Sequence, residues 1–447
     1  MRVGWTIGGV LAFAIAGAAR AQQPAPPPPF DPAHAAALFA EARVLCERDA
    51  GKLWNHSLCG PILLVDPDSM TMIASQADKG GVLKPVAGAL FTGRIPNDMI
   101  VANTATDWSG TVWTQLIWPF VPPDAPTRHV MLAHELFHRI QRDLPIPRLG
   151  DGDNGHLDTL EGRYLLQLEW RALAEAVAAK TPAVRKSAVA DALLFRAERD
   201  RRFPAAAKDE LGLELNEGVA EYTGVRLGLT APAERTAYAV KDLAAHVGDD
   251  TFVRSFAYAT GPAYGLMLDQ ADPAWRGKLG SGPALWRLLQ TALKLPDPAP
   301  TEAAVAARAR LYDDGKLRAV EVAREAARQQ RLAGYRAGLV EGPVLDLPLA
   351  KANRQFRPST LVGLDDLGTV YPTLRLTDAW GVLEVTGGSG ALLYKGFGRA
   401  TVSLKGADAT HLKGPSLVGD GWSLDLKPGW SLRPGPRPGD LTLAPTP

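Results

Sequence analysis

Along the chain the spacing of apolar positions changes character three times, and each change marks a different kind of element. From Pro32 to Asp49, Ala37, Leu38, Ala42, Val44 and Leu45 keep helical spacing. Short apolar runs follow. Pro61 to Val65 and Met70 to Ala74 flank Asp66-Pro67-Asp68 and predict a hairpin, with further strands at Val82 to Val86 and Asp98 to Asn103. Gly110 to Trp118 alternates polar and apolar residues and predicts the last strand of a small mixed sheet: an exposed edge that could pair with an extended peptide, or an ordinary strand with its tryptophans in the core. Helical spacing then returns. Ala133, Leu136, Phe137 and Ile140 form one stripe, begun at Asp124 or Thr127 and stopped before Pro145. Leu157 to Lys180 and Ala183 to Arg202 predict an antiparallel helical hairpin broken at Thr181-Pro182, and Ala231 to Val247, Pro283 to Leu295 and Thr301 to Ala337 predict more helix. Beyond about Val340 come short strands at turn-punctuated spacing: 344–349, 361–364, 373–376, 381–385, 391–394, 400–404 and 422–426, a small sandwich or barrel. The fold class expected is α+β, organised as a sheet part (32–126), a helical part (127–340) and an all-β part (341–447).

Composition adds an address and removes some functions. The chain has 447 residues, and 49 Lys+Arg against 48 Asp+Glu leave a formal charge of +1, with no basic bias for nucleic acid. Arg2, the apolar run Val3 to Ala19 and the small-x-small Ala19-Arg20-Ala21 predict a secretory signal over residues 1–21, followed by a Pro-rich tether over 22–31. No later run is long and apolar enough to span a bilayer, so a periplasmic or secreted protein is expected. In such a compartment the two cysteines, Cys46 and Cys59, are expected to be bridged, tying a helix end to the loop before the next strand.

The candidate chemistry begins at His134-Glu135-Leu136-Phe137-His138. Residues four apart stand on one face of a helix, so both imidazoles aim at one point, as chelation of one Zn²⁺ requires. Glu135, next on the turn, is placed to take a proton from a water acidified by the metal. The plain alternative is two histidines and a glutamate on a solvated helix face. A catalytic zinc wants a third protein ligand, and Glu217, in Leu215-Asn216-Glu217-Gly218-Val219-Ala220-Glu221, is the candidate. Glu221, one turn on, would accept the second ring N–H of a histidine, and Gly218 would let another helix come close. Glu161, Glu169 and Glu175 on the intervening hairpin compete for the ligand role.

His134-Glu135-x-x-His138 followed by Asn216-Glu217-Gly218-x-Ala220 resembles the gluzincin metallopeptidases, the group of thermolysin, aminopeptidase N and the glycyl aminopeptidases. The resemblance covers roughly Gly110 to Gln270. It implies a zincin-like core, Zn²⁺ on His134, His138 and Glu217, and Glu221 supporting a histidine. Tyr258-Ala-Thr-Gly261 is similar to the Tyr-x-x-Gly helix start of the aminopeptidase branches, which gives Tyr258 the role of oxyanion donor, with Tyr264 as its substitute. His246 is a further candidate for that role. The sequence departs from the family in two ways. Seventy-nine positions separate His138 from Glu217, which makes the helical hairpin an insertion, and no counterpart of the Gly-x-Met-x-Asn substrate segment is found. A zinc peptidase acting on peptide or protein substrates is expected. The alternative is a non-enzymatic envelope protein with a metal closed off by a fourth ligand, or no metal, and a binding β part.

Overall fold

The computed structural model describes residues 30–96, 99–150, 152, 154–356, 360–364, 366–406 and 414–446. The signal and nearly all of the tether expected over 1–31 lie outside the described residues. The first helix, α1 (Pro32–Asp49), starts at Asp31, whose carboxylate accepts from the His34 N–H. Its last turn carries Cys46, which is disulfide-bonded to Cys59 in the loop that leads to the sheet.

Six strands make a mixed sheet: β1 (Ile62–Asp66), β2 (Thr71–Ala74), β3 (Lys84–Pro85), β4 (Phe91–Arg94), β5 (Thr104–Trp108) and β6 (Thr111–Ile117), in the order β3-β4-β2-β1-β6-β5. β1 and β6 run parallel and the other pairs antiparallel. β6 is thus interior, with Trp113 and Leu116 fully buried, and the open edge is β5. The expected strand at 98–103 is instead irregular over its described residues, and strand begins at Thr104. Ser109 and Gly110, both at positive φ (49° and 73°), close a two-residue β5–β6 hairpin, the turn whose twist matches paired strands.

β6 feeds α2 (Ala125–Gln141), the helix of the two histidines. Asp124 caps it by accepting from the Thr127 N–H, and Pro126 sits in its first turn, where no N–H is needed. Then come α3 (Leu160–Ala178) and α4 (Pro182–Arg202), packed as the expected hairpin, α5 (Ala207–Leu213), a π-helical turn at Glu214–Gly218, and α6 (Val219–Gly228). α7 (Pro232–Ala245), α8 (Ser255–Ala271), α9 (Leu285–Ala292), α10 (Glu302–Tyr312) and α11 (Leu317–Arg336) complete the helical part. One apolar core runs from Ala35 on α1 to Leu317 on α11 and includes sheet and helices alike.

Inside that core lies a group of ions that sequence periodicity gave no hint of. Glu210 accepts from Arg196 (2.8 Å), from Arg199 (2.7 and 2.8 Å) and faces His156 (2.7 Å). Glu214 takes Arg196 (2.8 Å) and the Thr260 hydroxyl (3.1 Å), and Glu169 takes the Tyr264 hydroxyl (2.7 Å) and lies 2.7 Å from Arg199. Burial pushes the Glu214 carboxyl up, against the pull of Arg196. Buried charges of this kind add little net stability but admit one arrangement only, so they fix how α3, α4, α5 and the π turn sit together.

The rest of the chain is a two-sheet sandwich: β7 (Val344–Pro348), β8 (Asn353–Phe356), β9 (Val362–Leu364), β10 (Gly368–Tyr371), β11 (Leu374–Asp378), β12 (Gly381–Val385), β13 (Ala391–Tyr394), β14 (Arg399–Ser403), β15 (Ser416–Gly419), β16 (Trp422–Leu426), β17 (Trp430–Pro434) and β18 (Leu441–Pro445). The sheets have the orders β17-β18-β7-β14-β13-β10-β9 and β15-β16-β12-β11-β8, and they share a core that includes Leu347, Leu376, Trp380 and Leu424. α11 joins the two parts. Its Glu321 is fully buried against Arg163 of α3 (2.6 Å), while Leu332 and Tyr335 pack on Leu364, Val370 and Leu392 of the sandwich. The protein is α+β, and no helix among the described residues is long and apolar enough to cross a membrane.

Candidate metal centre

α2 and α6 touch so closely that two glycines of α6 carry the contact. A Cβ on Gly224 or Gly228 would come within 2.6 Å of the Val130 backbone. A second close crossing puts α8 against the π turn, where a Cβ on Gly261 would lie 2.1 Å from the Gly218 carbonyl oxygen. Three elements distant in sequence are thereby brought to one point. α2 brings His134, Glu135 and His138, the π turn and α6 bring Glu217 and Glu221, and α8 brings Tyr258.

At that point the His134 and His138 Nε2 atoms are 2.9 Å apart, and Glu217 Oε2 lies 3.5 and 3.4 Å from them. Each outer nitrogen has an acceptor. His134 Nδ1 donates to Glu221 Oε2 (2.7 Å) and His138 Nδ1 to Gln141 Oε1 (2.8 Å). The Gln141 amide is assigned by its surroundings, because its NH₂ donates to the Leu215 and Asn216 carbonyls of the π turn (3.2 and 3.1 Å). With both Nδ1 hydrogens engaged, the neutral form of each imidazole would direct its Nε2 lone pair inward, toward the other ring and a carboxylate oxygen. Such a set wants a cation between its members.

Glu217 is oriented from behind. Its Oε1 accepts from Arg254 (3.0 Å) and from the Asn216 amide (3.3 Å), and its Oε2 accepts the Tyr258 hydroxyl (2.7 Å). The Tyr258 ring lies parallel to that of His134 at 5.5 Å. Glu135 differs: its Oε2 is buried and accepts no hydrogen bond among the described residues. His134, Glu135 and His138 offer ligand atoms within 4.8 Å of one another, so two carboxylates, Glu135 and Glu217, adjoin the imidazole pair. They are told apart by their surroundings. Glu217 is anchored by three donors and faces both Nε2 atoms, whereas Glu135 keeps a bare oxygen beside them.

The electrostatics of the metal-free cluster follow from burial and pairing. Burial pulls the His134 imidazole down, but its bonds to Glu217 and Glu221 outweigh this and hold it well above its ordinary value; His138 is raised in the same sense. Burial pushes Glu217 up, yet the two imidazoles hold it well below the usual carboxylate range. Glu135 is raised, because burial outweighs the attraction of the imidazoles. Burial, and then Glu217, push the Tyr258 phenol well up.

A tetrahedral zinc with bonds of about 2.0–2.1 Å spaces its ligand atoms roughly 3.3 Å apart. The observed 3.4 and 3.5 Å match that spacing, and the 2.9 Å between the imidazoles is short of it by a few tenths of an ångström. The donor set, two imidazole nitrogens and a carboxylate oxygen, is also one that zinc takes.

The rival candidates are elsewhere. Glu169 is held by Tyr264 and Arg199 in the buried ion group, which also occupies the Tyr264 hydroxyl. Glu161 pairs with Arg202 and Arg318 on the surface. His246 lines the same cleft but is bound to Asp249 (2.8 Å). Gln141 and Arg254 were not singled out from the sequence. Gln141 stands three residues after His138 and hence beside it on the helix, a spacing that would have found it. Arg254 carries no such local sign. Comparison of the chain with family models, with curated proteins and with solved structures finds no match.

Proposed function

We propose that the protein is a zinc-dependent hydrolase with a zincin-like core, and most concretely a peptidase exported to the periplasm or beyond. The observation that carries the proposal is the convergence of His134 Nε2, His138 Nε2 and Glu217 Oε2, with the unpartnered Glu135 carboxylate beside them. His134, His138 and Glu217 would hold the ion. Zinc bound there supplies Lewis acidity, polarising a carbonyl and lowering the pKa of water.

The chain's own groups do the rest. Glu135, raised by burial, takes a proton from the attacking water and returns it to the leaving amine. Glu221 and Gln141 keep both imidazoles in the tautomer that presents Nε2. Arg254 and Asn216 hold the Glu217 carboxylate in plane. Tyr258, a neutral donor because its phenol is pushed up, turns from Glu217 to the oxygen that gains charge. The cleft in front of these groups has a volume of ≈ 1500 Å³ and opens along β5, room for several residues of an extended peptide.

The test is Glu135→Gln. Zinc measured by atomic absorption should stay stoichiometric, while cleavage of a peptide library falls by about 10²-fold or more. Unchanged turnover refutes the mechanism. Stoichiometric zinc with no cleavage in the unsubstituted protein favours the non-enzymatic alternative.

A further inference from the structure

Two sheets end at the same cleft. Among the described residues β5 stands at one end of the six-stranded sheet and is paired on one side only, by β6. β8 stands at one end of the five-stranded sheet of the sandwich and, among the described residues, is likewise paired on one side only, by β11. Residues of both strands line the cleft that contains His134, His138 and Glu217. An open sheet edge leaves a row of backbone N–H and C=O groups without strand partners, and an extended polypeptide is the ligand that satisfies them. The side chains there are unusual for a surface. Ile100, Phe120 and Phe356 are 69, 56 and 40 % exposed, and all three line this cleft.

The sandwich contributes a charge as well. Arg354 and Phe356, two apart on β8, share a face. Phe356 packs edge-on against Tyr371 (5.1 Å), and the Arg354 guanidinium lies 4.2 Å from the centre of the Phe397 ring. Several other charged groups of the cleft are matched: Glu217 with Arg254, Asp107 with Arg142, Asp249 with His246. Among the described residues no carboxylate pairs with Arg354. Its planar, weakly hydrated cation thus lies on the Phe397 ring and bonds the Tyr371 hydroxyl, neither of which neutralises its charge, so it can take an anion. Nor is the sandwich a loose appendage, since α11 is anchored by the buried Arg163–Glu321 pair at one end and by the Leu364, Val370 and Leu392 cluster at the other.

We propose that β8 is a second substrate-binding wall. An extended polypeptide lies in the cleft with an apolar side chain against Phe356 and a carboxylate, from an acidic side chain or its own C-terminus, on Arg354. This rests on the peptidase reading of the metal centre and adds the class of substrate.

Matched fluorogenic peptides test it: one acidic apolar peptide, its glutamine-for-glutamate counterpart, and the C-terminal amide of each. The unsubstituted protein should favour a carboxylate-bearing peptide roughly tenfold in kcat/KM, through KM. The member of the set that loses the preference identifies which carboxylate is read. Arg354→Met should abolish the preference by raising KM for the carboxylate-bearing peptides, Arg354→Lys should keep part of it, and Phe356→Ala should raise KM for all four. A preference that survives Arg354→Met, while Glu135→Gln abolishes cleavage, overturns the second wall and leaves the peptidase reading standing. If no peptide is cut, fluorescence anisotropy of the same peptides on the zinc-loaded protein decides. Binding that depends on Arg354 keeps the wall and removes the peptidase reading, and no binding overturns both.

Discussion

Replacing Gln141 with leucine removes a side chain that bonds both a histidine of α2 and the π turn of the candidate metal centre. Its carbonyl accepts the His138 Nδ1–H at 2.8 Å, and its amide donates to two carbonyls of the π turn that carries Glu217. Leucine fills the space but makes none of these bonds. Two effects follow. His138 loses the acceptor that fixes its tautomer, and loss of such a partner typically weakens metal binding 10- to 100-fold, about 1.4–2.7 kcal/mol. The Leu215 and Asn216 carbonyls lose a donor, at about 1 kcal/mol for each net hydrogen bond. Zinc affinity by competition with a chromophoric chelator should therefore fall 10- to 100-fold in Gln141→Leu, and the metal-free protein should lose about 2 kcal/mol in urea unfolding. The cobalt-substituted variant should show a shifted d–d spectrum, since the coordination geometry moves with His138. An affinity within twofold of the original, with an unshifted spectrum, would falsify the view that Gln141 positions the site.

Two further outcomes follow from titrating groups. In the metal-free protein the raised imidazoles add stability that is complete below about pH 6.5 and is lost as pH rises through their folded values. With zinc bound the imidazoles are neutral, and stability is instead lost as pH falls below about 6.5, where the unfolded chain takes up protons. Urea midpoints with chelator and with zinc should thus slope in opposite directions with pH; parallel slopes would show that the histidines do not exchange protons for metal. Asp242, half-buried on α7 with its Oδ2 covered and without a hydrogen-bond partner among the described residues, is raised to about 7 by burial, against the pull of His246. A carboxyl raised in the folded state costs stability as pH climbs from about 4 to 7, so Asp242→Asn should gain roughly 2–4 kcal/mol at pH 8 and almost nothing near pH 4. Equal gains at both pH values would assign the effect to packing.

What the sequence disclosed was mostly what is local. The α2 helix is legible because its cap, its proline and its apolar stripe lie within one stretch, and the His134–His138 spacing needs only helical geometry to be meaningful. Glu217 and Glu221 were legible from their spacing and their neighbours. The π turn was not, because the forces that distinguish it from α-helix come from elsewhere: Gln141 on its carbonyls, Arg196 on Glu214, and Gly261 against Gly218. The same applies to the sheet edge. Asp98 to Asn103 has the apolar content of a strand, but pairing begins only where the Ser109-Gly110 turn sets the register, at Thr104. In the sandwich, β8 (Asn-Arg-Gln-Phe) was missed because an edge strand needs little apolar content, and nothing in those four residues points to a place in the cleft.

The helical hairpin between α2 and the π turn also bears on what the candidate centre needs in order to be complete. His134 and His138 precede Glu217 in the chain, and the π turn that carries Glu217 is seated through Glu214 on Arg196 of the intervening hairpin. Arg163 of the same hairpin is covered in turn by Glu321 of α11. A chain truncated before the π turn thus carries both histidines without the carboxylates that meet them, and on the proposed function it would hold zinc weakly and cut no peptide.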